Sequence, residues 1–149
     1  MEPFFANYWD RLNEMNQVII EAIRDLSPEQ LNWDPGPDMN SLTVLVTHTA
    51  GAQRFWVGDI AGQDPSGRIR DEEFAVEAKT AESLIARMQE ATDHSHQVLT
   101  ELTVADLGQE RYSPRYERPF TVAWALLHAL EHTSTHAGHI EITRQFLTT

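Results

Sequence analysis

The sequence predicts an all-α fold, an antiparallel four-helix bundle with a long connection between its second and third helices. Three observations lead there. Four long stretches place apolar residues three and four positions apart, the spacing of one helical stripe. The segments between them are rich in proline, glycine and polar residues, which end helices. No run alternates apolar and polar residues as a half-buried strand does, and there is no internal repeat or low-complexity tract. Four amphipathic helices bury their stripes by packing on one another.

The first helix runs from Pro3 to Leu26, with Phe5, Trp9, Leu12, Met15, Ile19, Ile23 and Leu26 on its stripe, and Pro3 suits a first turn. In "SPEQL", Ser27 caps a short helical turn that begins at Pro28. "NWDPGPDMNS" is loop. The second helix starts at Asn40 or Ser41 and reaches Ile60, with Val44, Leu45, His48, Gly51, Ala52, Phe55 and Ile60 inward. A polar connection of roughly twenty residues follows, longer than an antiparallel hairpin needs. It is either a crossover or a carrier of pocket residues. Thr80 caps the third helix, whose stripe is Leu84, Met88, Ala91, Ser95, Val98 and Leu102. "GQERYSPRYERP" is loop, and the fourth helix opens at about Phe120 and runs nearly to the end.

The 149 residues fit a single domain with a sizeable core. With 11 basic and 23 acidic side chains, net charge −12, the chain is unsuited to neutralising phosphates, so nucleic acid is not an expected partner. No apolar run approaches the ~20 residues that cross a bilayer. The N-terminal stretch lacks the pattern of a signal peptide. There is no cysteine, so disulfides, thiolate metal sites and a cysteine nucleophile are excluded. These features lead us to expect a cytoplasmic protein.

"HALEHTSTHAGHI", residues 128–140, holds four of the seven histidines. At about 100° per residue, His128, His132, His136 and His139 fall within a sector of about 80°, shared with Ala125, Ala129 and Phe146. Small and apolar companions point that sector inward. Inward histidines at i, i+4 spacing chelate a metal ion from one helix. His48, the one titratable group on an otherwise apolar stripe, offers a third arm, with Gly51 and Ala52 leaving room beside it. Neutral imidazole suits zinc, nickel, copper and iron. Three histidines with an open position make a catalytic rather than a structural pattern. His94 and His96 are read as facing solvent. Trp33, Asn40, Arg54 and Trp56 are placed near the cavity mouth. No Ser–His–Asp arrangement is legible. No histidine follows a glutamate by three positions, which argues against a di-iron carboxylate site.

"LSPEQLNWDPGPDMNSLTVLVTHTAGAQRFW" and "LLHALEHTSTHAGHIEITR" resemble the DinB/YfiT-like superfamily of metal-binding four-helix bundles, over most of the chain. The ending "HAGHI" is similar to the branch that includes mycothiol-dependent enzymes. That branch often carries Glu at the first position of the terminal-helix pair; His132 stands there in this chain, as in three-histidine members. The resemblance implies the ligand set His48, His132 and His136, with His128 and His139 as candidates to steady those ligands. It implies a divalent metal, nickel or zinc, and a homodimer, for which Phe4, Tyr8 and Phe146 offer aromatic surface. It also implies chemistry assisted by a low-molecular-weight thiol such as mycothiol, bacillithiol or glutathione, acting on a small-molecule substrate. The expected function is thus a metal-dependent thiol S-transferase or isomerase. The alternatives are a metal-binding or stress-related module without catalysis, and a metal-dependent hydrolase.

Overall fold

Pro3 opens helix α1 (Pro3–Ile23), which buries Phe5, Tyr8, Leu12, Asn16, Ile19, Ile20 and Ile23 along one side. The structure, a computed structural model, describes residues 1–78 and 80–147. Helix α1 stops three residues short of the expected Leu26, because Asp25 adopts a left-handed backbone (φ 65°) and turns the chain. Aspartate tolerates that region better than most residues. Ser27 then starts α2 (Pro28–Leu31) with a reciprocal capping box. The Gln30 N–H donates to Ser27 Oγ (3.2 Å), and the Ser27 N–H donates to Gln30 Oε1 (2.9 Å).

Helix α3 (Leu42–Gln53) is capped by Ser41, whose Oγ accepts the Val44 N–H at 3.2 Å. Almost every residue of it is buried, which makes it the most enclosed helix of the fold. It continues as a π-helical segment, Arg54–Ala61, in place of the plain α-helix expected to Ile60. The connection to the next helix holds one 3₁₀ turn, Arg70–Phe74. Its far end is fastened by Asn32, whose Oδ1 accepts the Ala78 N–H and whose Nδ2 donates to the Ala78 carbonyl, both at 3.0 Å. Helix α4 (Ala81–Glu101) is capped by Thr80 and buries the stripe expected of it.

The segment expected to be loop contains an antiparallel hairpin of β1 (Glu110–Ser113) and β2 (Arg118–Thr121). Strands of four residues are too short to display alternation in sequence. Phe120 pairs with Arg111 in the hairpin and is buried, so helix α5 (Val122–Leu147) begins two residues later than expected. Thr121 Oγ1 accepts the Trp124 N–H at its start (3.1 Å).

Helices α1 and α3 each pack against both α4 and α5. Two apolar clusters fill the space between them. One is centred on Phe5, Trp56 and Leu126, the other on Ile19, Leu45 and Met88. Buried polar pairs tie neighbouring helices, namely Asn16 Nδ2 to Thr92 Oγ1 at 2.9 Å and Gln53 Nε2 to Ser95 Oγ at 3.0 Å. Tyr8 belongs to this interior and not to an interface. It is 6% exposed, and its hydroxyl donates to the Leu126 carbonyl at 2.5 Å. Phe4 and Phe146 are about half-exposed. Among the described residues, no helix is long and apolar enough to cross a membrane.

Candidate metal centre

Helix α3 delivers His48 and helix α5 delivers His132 and His136 to one point between them. His48 Nε2 lies 3.0 Å from His132 Nε2, and His136 Nε2 lies 3.2 Å from the same atom. One ring nitrogen from each of the three falls within 4.8 Å of the others. A tetrahedral ion with bonds of 2.0–2.1 Å spaces its nitrogen ligands by roughly 3.3 Å. The cluster is therefore close to the spacing that an ion requires.

The protonation states agree. Burial, then the neighbouring imidazoles, lower the His132 pKa to about 3. Burial, with His48 and His139, lowers that of His136 to about 4. Both rings are neutral near pH 7, as ligands must be. Burial alone would raise the Glu73 pKa, but hydrogen bonds and charge from Arg68 and His48 outweigh it and hold the carboxyl below its ordinary value. An ionised carboxylate only accepts, so the proton of the 3.0 Å contact between His48 Nδ1 and Glu73 Oε1 belongs to His48. In the neutral ring that places the lone pair on Nε2, the nitrogen that faces His132. A carboxylate behind a histidine in this way is the usual support of a metal ligand. His132 lacks such support; its Nδ1 is buried with no partner.

Glu73 is itself clamped. Arg68 donates from Nε to Oε2 and from Nη2 to Oε1, both at 2.8 Å. Gly51 makes this possible, because a Cβ there would lie 1.9 Å from Glu73 Oε2. The room expected beside His48 for an ion or a close helix is thus filled by a carboxylate. Phe74, with its ring 4.9 Å from that of His48, flanks the imidazole. Arg68 and Glu73 escaped the sequence reading, which left their segment as a polar connection. Its unusual length was the one signal that it carried pocket residues.

The remaining histidines separate. His128 stacks on Trp124 (4.9 Å, planes 10° apart). His139 is exposed, with its Nδ1 3.3 Å from His136 Nδ1. The expectation that all four histidines of α5 face inward is corrected here for His139, and for Phe146 beside it. The buried line of α5 runs through Ala125, Leu126, Ala129, Thr133, Ala137 and Ile140. The histidine row follows the border of that line, and only Ala125 and Ala129 lie close to both. His96 is exposed, as expected. His94 is not: it is half-buried, and its Nε2 contacts Asp64 Oδ2 at 2.8 Å. A cavity of about 1000 Å³ lies behind the Arg68–Glu73 pair, lined by Gly51, Arg54 and His94 among others, and not by the three imidazoles. Of the residues expected at a cavity mouth, only Arg54 lines it. Trp33 and Asn40 are exposed elsewhere, and Trp56 is buried.

Comparison with known proteins agrees with this picture. The family described as mycothiol S-transferase matches residues 9–149. A crystal structure described as a conserved protein from Enterococcus faecalis superposes with a TM-score of 0.80, covering 97% of each chain at 16% identity, which shows a shared fold. No curated protein matches the sequence. With a match over nearly its whole length, the chain belongs to the mycothiol S-transferase family, within the DinB-like superfamily.

Proposed function

We propose that this chain is a divalent-metal-dependent S-transferase or isomerase that uses a low-molecular-weight thiol, with His48, His132 and His136 as the metal ligands. The observation that carries the reading is the convergence of three imidazoles, two of them held neutral by burial and the third hydrogen-bonded through Nδ1 to Glu73. An all-nitrogen set on a half-buried site favours zinc or nickel over magnesium or calcium. The ion would supply Lewis acidity, favouring the deprotonated form of a thiol or water brought to it.

The chain's own residues do the rest. Arg68 and Glu73 hold His48 in place, and Phe74 shields one side of its imidazole from water. Because the chain has no cysteine, the sulfur must come from a cosubstrate such as mycothiol, bacillithiol or glutathione. The packing of α1 and α3 on both α4 and α5 supports an antiparallel four-helix bundle, one domain over residues 1–149. We extend the proposal to a cytoplasmic homodimer, for which the half-exposed Phe4 and Phe146 offer surface.

The test is metal analysis of untagged protein, followed by thiol-conjugation assays with and without a chelator. Chelator-sensitive conjugation is the expected result. Stoichiometric metal with no transfer to any electrophile would instead identify a binding or sensing module.

A further inference from the structure

The metal reading uses one side of the Arg68–Glu73 pair. The other side faces the cavity of about 1000 Å³ between α3, α4 and the connection that joins them, and that space has no use so far. Its volume is within the range of small-molecule sites.

Arg68 is the group that gives the cavity a chemistry. Its side chain is only 9% exposed. Nε and Nη2 donate to the two oxygens of Glu73, and Cζ lies 5.7 Å from the centre of the Phe55 ring. Nη1 donates to nothing among the described residues, yet it is not sealed from the cavity as a fully buried atom would be. A guanidinium carries five N–H donors in a rigid fork, so the pairing with Glu73 occupies one edge and leaves another. The free edge, Nη1 with the outer N–H of Nη2, presents two parallel donors, the match for a carboxylate.

The surroundings are consistent with an occupant. Thr47 lines the cavity at 2% exposure, and its hydroxyl has no partner. By contrast, Thr49 and Thr92 return theirs to the carbonyls of Leu45 and Met88, at 2.6 and 2.7 Å. Ala50, Gly51 and Ala91 keep the floor open. The exposed charges at the opening are mixed, Arg87 against Glu72 and Glu90, and select neither sign. The buried end decides, because a charge out of water acts far more strongly than one at the surface.

We propose that this cavity binds a small carboxylic acid, its carboxylate seated on the free edge of Arg68, and that the occupant acts on His48 through the guanidinium it shares with Glu73. The site is independent of the metal reading; its effect on metal binding rests on that reading.

The test uses the full-length, metal-free protein and follows its amide and imidazole nitrogens by NMR during titration with sodium butyrate. Controls are butyramide, which has the same shape without the charge, and sodium chloride at equal ionic strength. Butyrate should bind with a Kd of about 1–10 mM and move the amides of Gly51 and Arg68. Butyramide should bind at least about tenfold more weakly, and chloride should not reproduce the shifts. Arg68→Gln should abolish binding. Arg68→Lys keeps a cation beside Glu73 without the fork, so it serves where the Gln variant does not fold, and it should weaken binding about tenfold. Arg87→Gln, at the opening, should stay within about twofold. The ring nitrogens of His48 should move on binding, while those of the exposed His96 should not. Equal shifts from butyramide or chloride, or a loss in Arg87→Gln as large as in Arg68→Gln, overturn the site. Bound butyrate with His48 unmoved overturns the link to the histidine cluster. Saturable butyrate binding by a protein that takes up no zinc or nickel keeps the site and overturns the metal reading instead.

Discussion

Gly51→Ala is the most informative single change, because it perturbs the proposed metal centre without touching a proposed ligand. The added Cβ would lie 1.9 Å from Glu73 Oε2, 2.8 Å from Glu73 Cδ and 3.3 Å from Arg68 Nε. To restore ordinary contact, the carboxylate must retreat by about 1.5 Å. The His48–Glu73 hydrogen bond is 3.0 Å long, and such a bond is lost beyond about 3.5 Å. The displacement exceeds what it tolerates, and it also pulls both carboxylate oxygens away from the hydrogen bonds that Arg68 donates to them. Loss of a carboxylate behind a metal-binding histidine lowers affinity about 10–100-fold, or about 1.4–2.7 kcal/mol. Alanine is also the better helix former by about 1 kcal/mol. That gain opposes the lost hydrogen bond, so metal-free stability should change little. Zinc affinity by competition with a chromophoric chelator, and thermal unfolding of the metal-free protein, separate the two effects. Wild-type affinity in Gly51→Ala would refute the claim that Glu73 governs His48.

Other outcomes follow from the same geometry. His132→Ala removes the imidazole that contacts both others, so bound metal measured by atomic emission should vanish, whereas His96→Ala, on the exposed side of α4, should retain it. The metal-free protein should lose stability as pH falls. His132 and His136 titrate at about 3 and about 4 when folded, against an ordinary 6.5, so between these limits the unfolded chain binds more protons. Their contribution is complete above about pH 6.5 and is lost on descent toward pH 3, which should appear as a Tm that falls steadily from pH 7 to pH 4. Ser41→Ala removes the cap of the helix that carries His48 and should cost about 1 kcal/mol in denaturant unfolding, with metal stoichiometry intact.

Much of this centre was readable in the sequence, for physical reasons. His48 stood out because an ionisable group on an apolar helical stripe is costly unless it has a task. His132 and His136 stood out because i, i+4 spacing places two rings on one face. The wheel showed on which side His139 lies, but not that the buried boundary falls before it, since that boundary depends on how closely α3 and α5 approach. Glu73 was invisible. It is one of several acidic residues in "RDEEF", and irregular backbone carries no periodicity from which to tell the buried one from its exposed neighbours. Trp56 was misplaced for a related reason, because a π-helical segment shifts the register of everything after Gln53 and leaves no mark in the spacing of apolar residues.

The connection between α3 and α4 has a kinetic consequence. It carries the Arg68–Glu73 pair, yet little regular backbone hydrogen bonding holds it. It is moored at its start, where Arg54 reaches Asp59 and Asp64 and Ser66 bonds to Asp59, and at its end by Asn32 and Ala78. Segments held by a few side-chain moorings open far more often than packed helices do. Each such opening withdraws the carboxylate from His48 while α3 and α5 stay folded. Metal exchange should therefore follow the opening rate of residues 62–78 rather than the global unfolding rate. Amide hydrogen exchange in that stretch should be fast and should track metal release across variants of the moorings, while the amides of α3 remain protected.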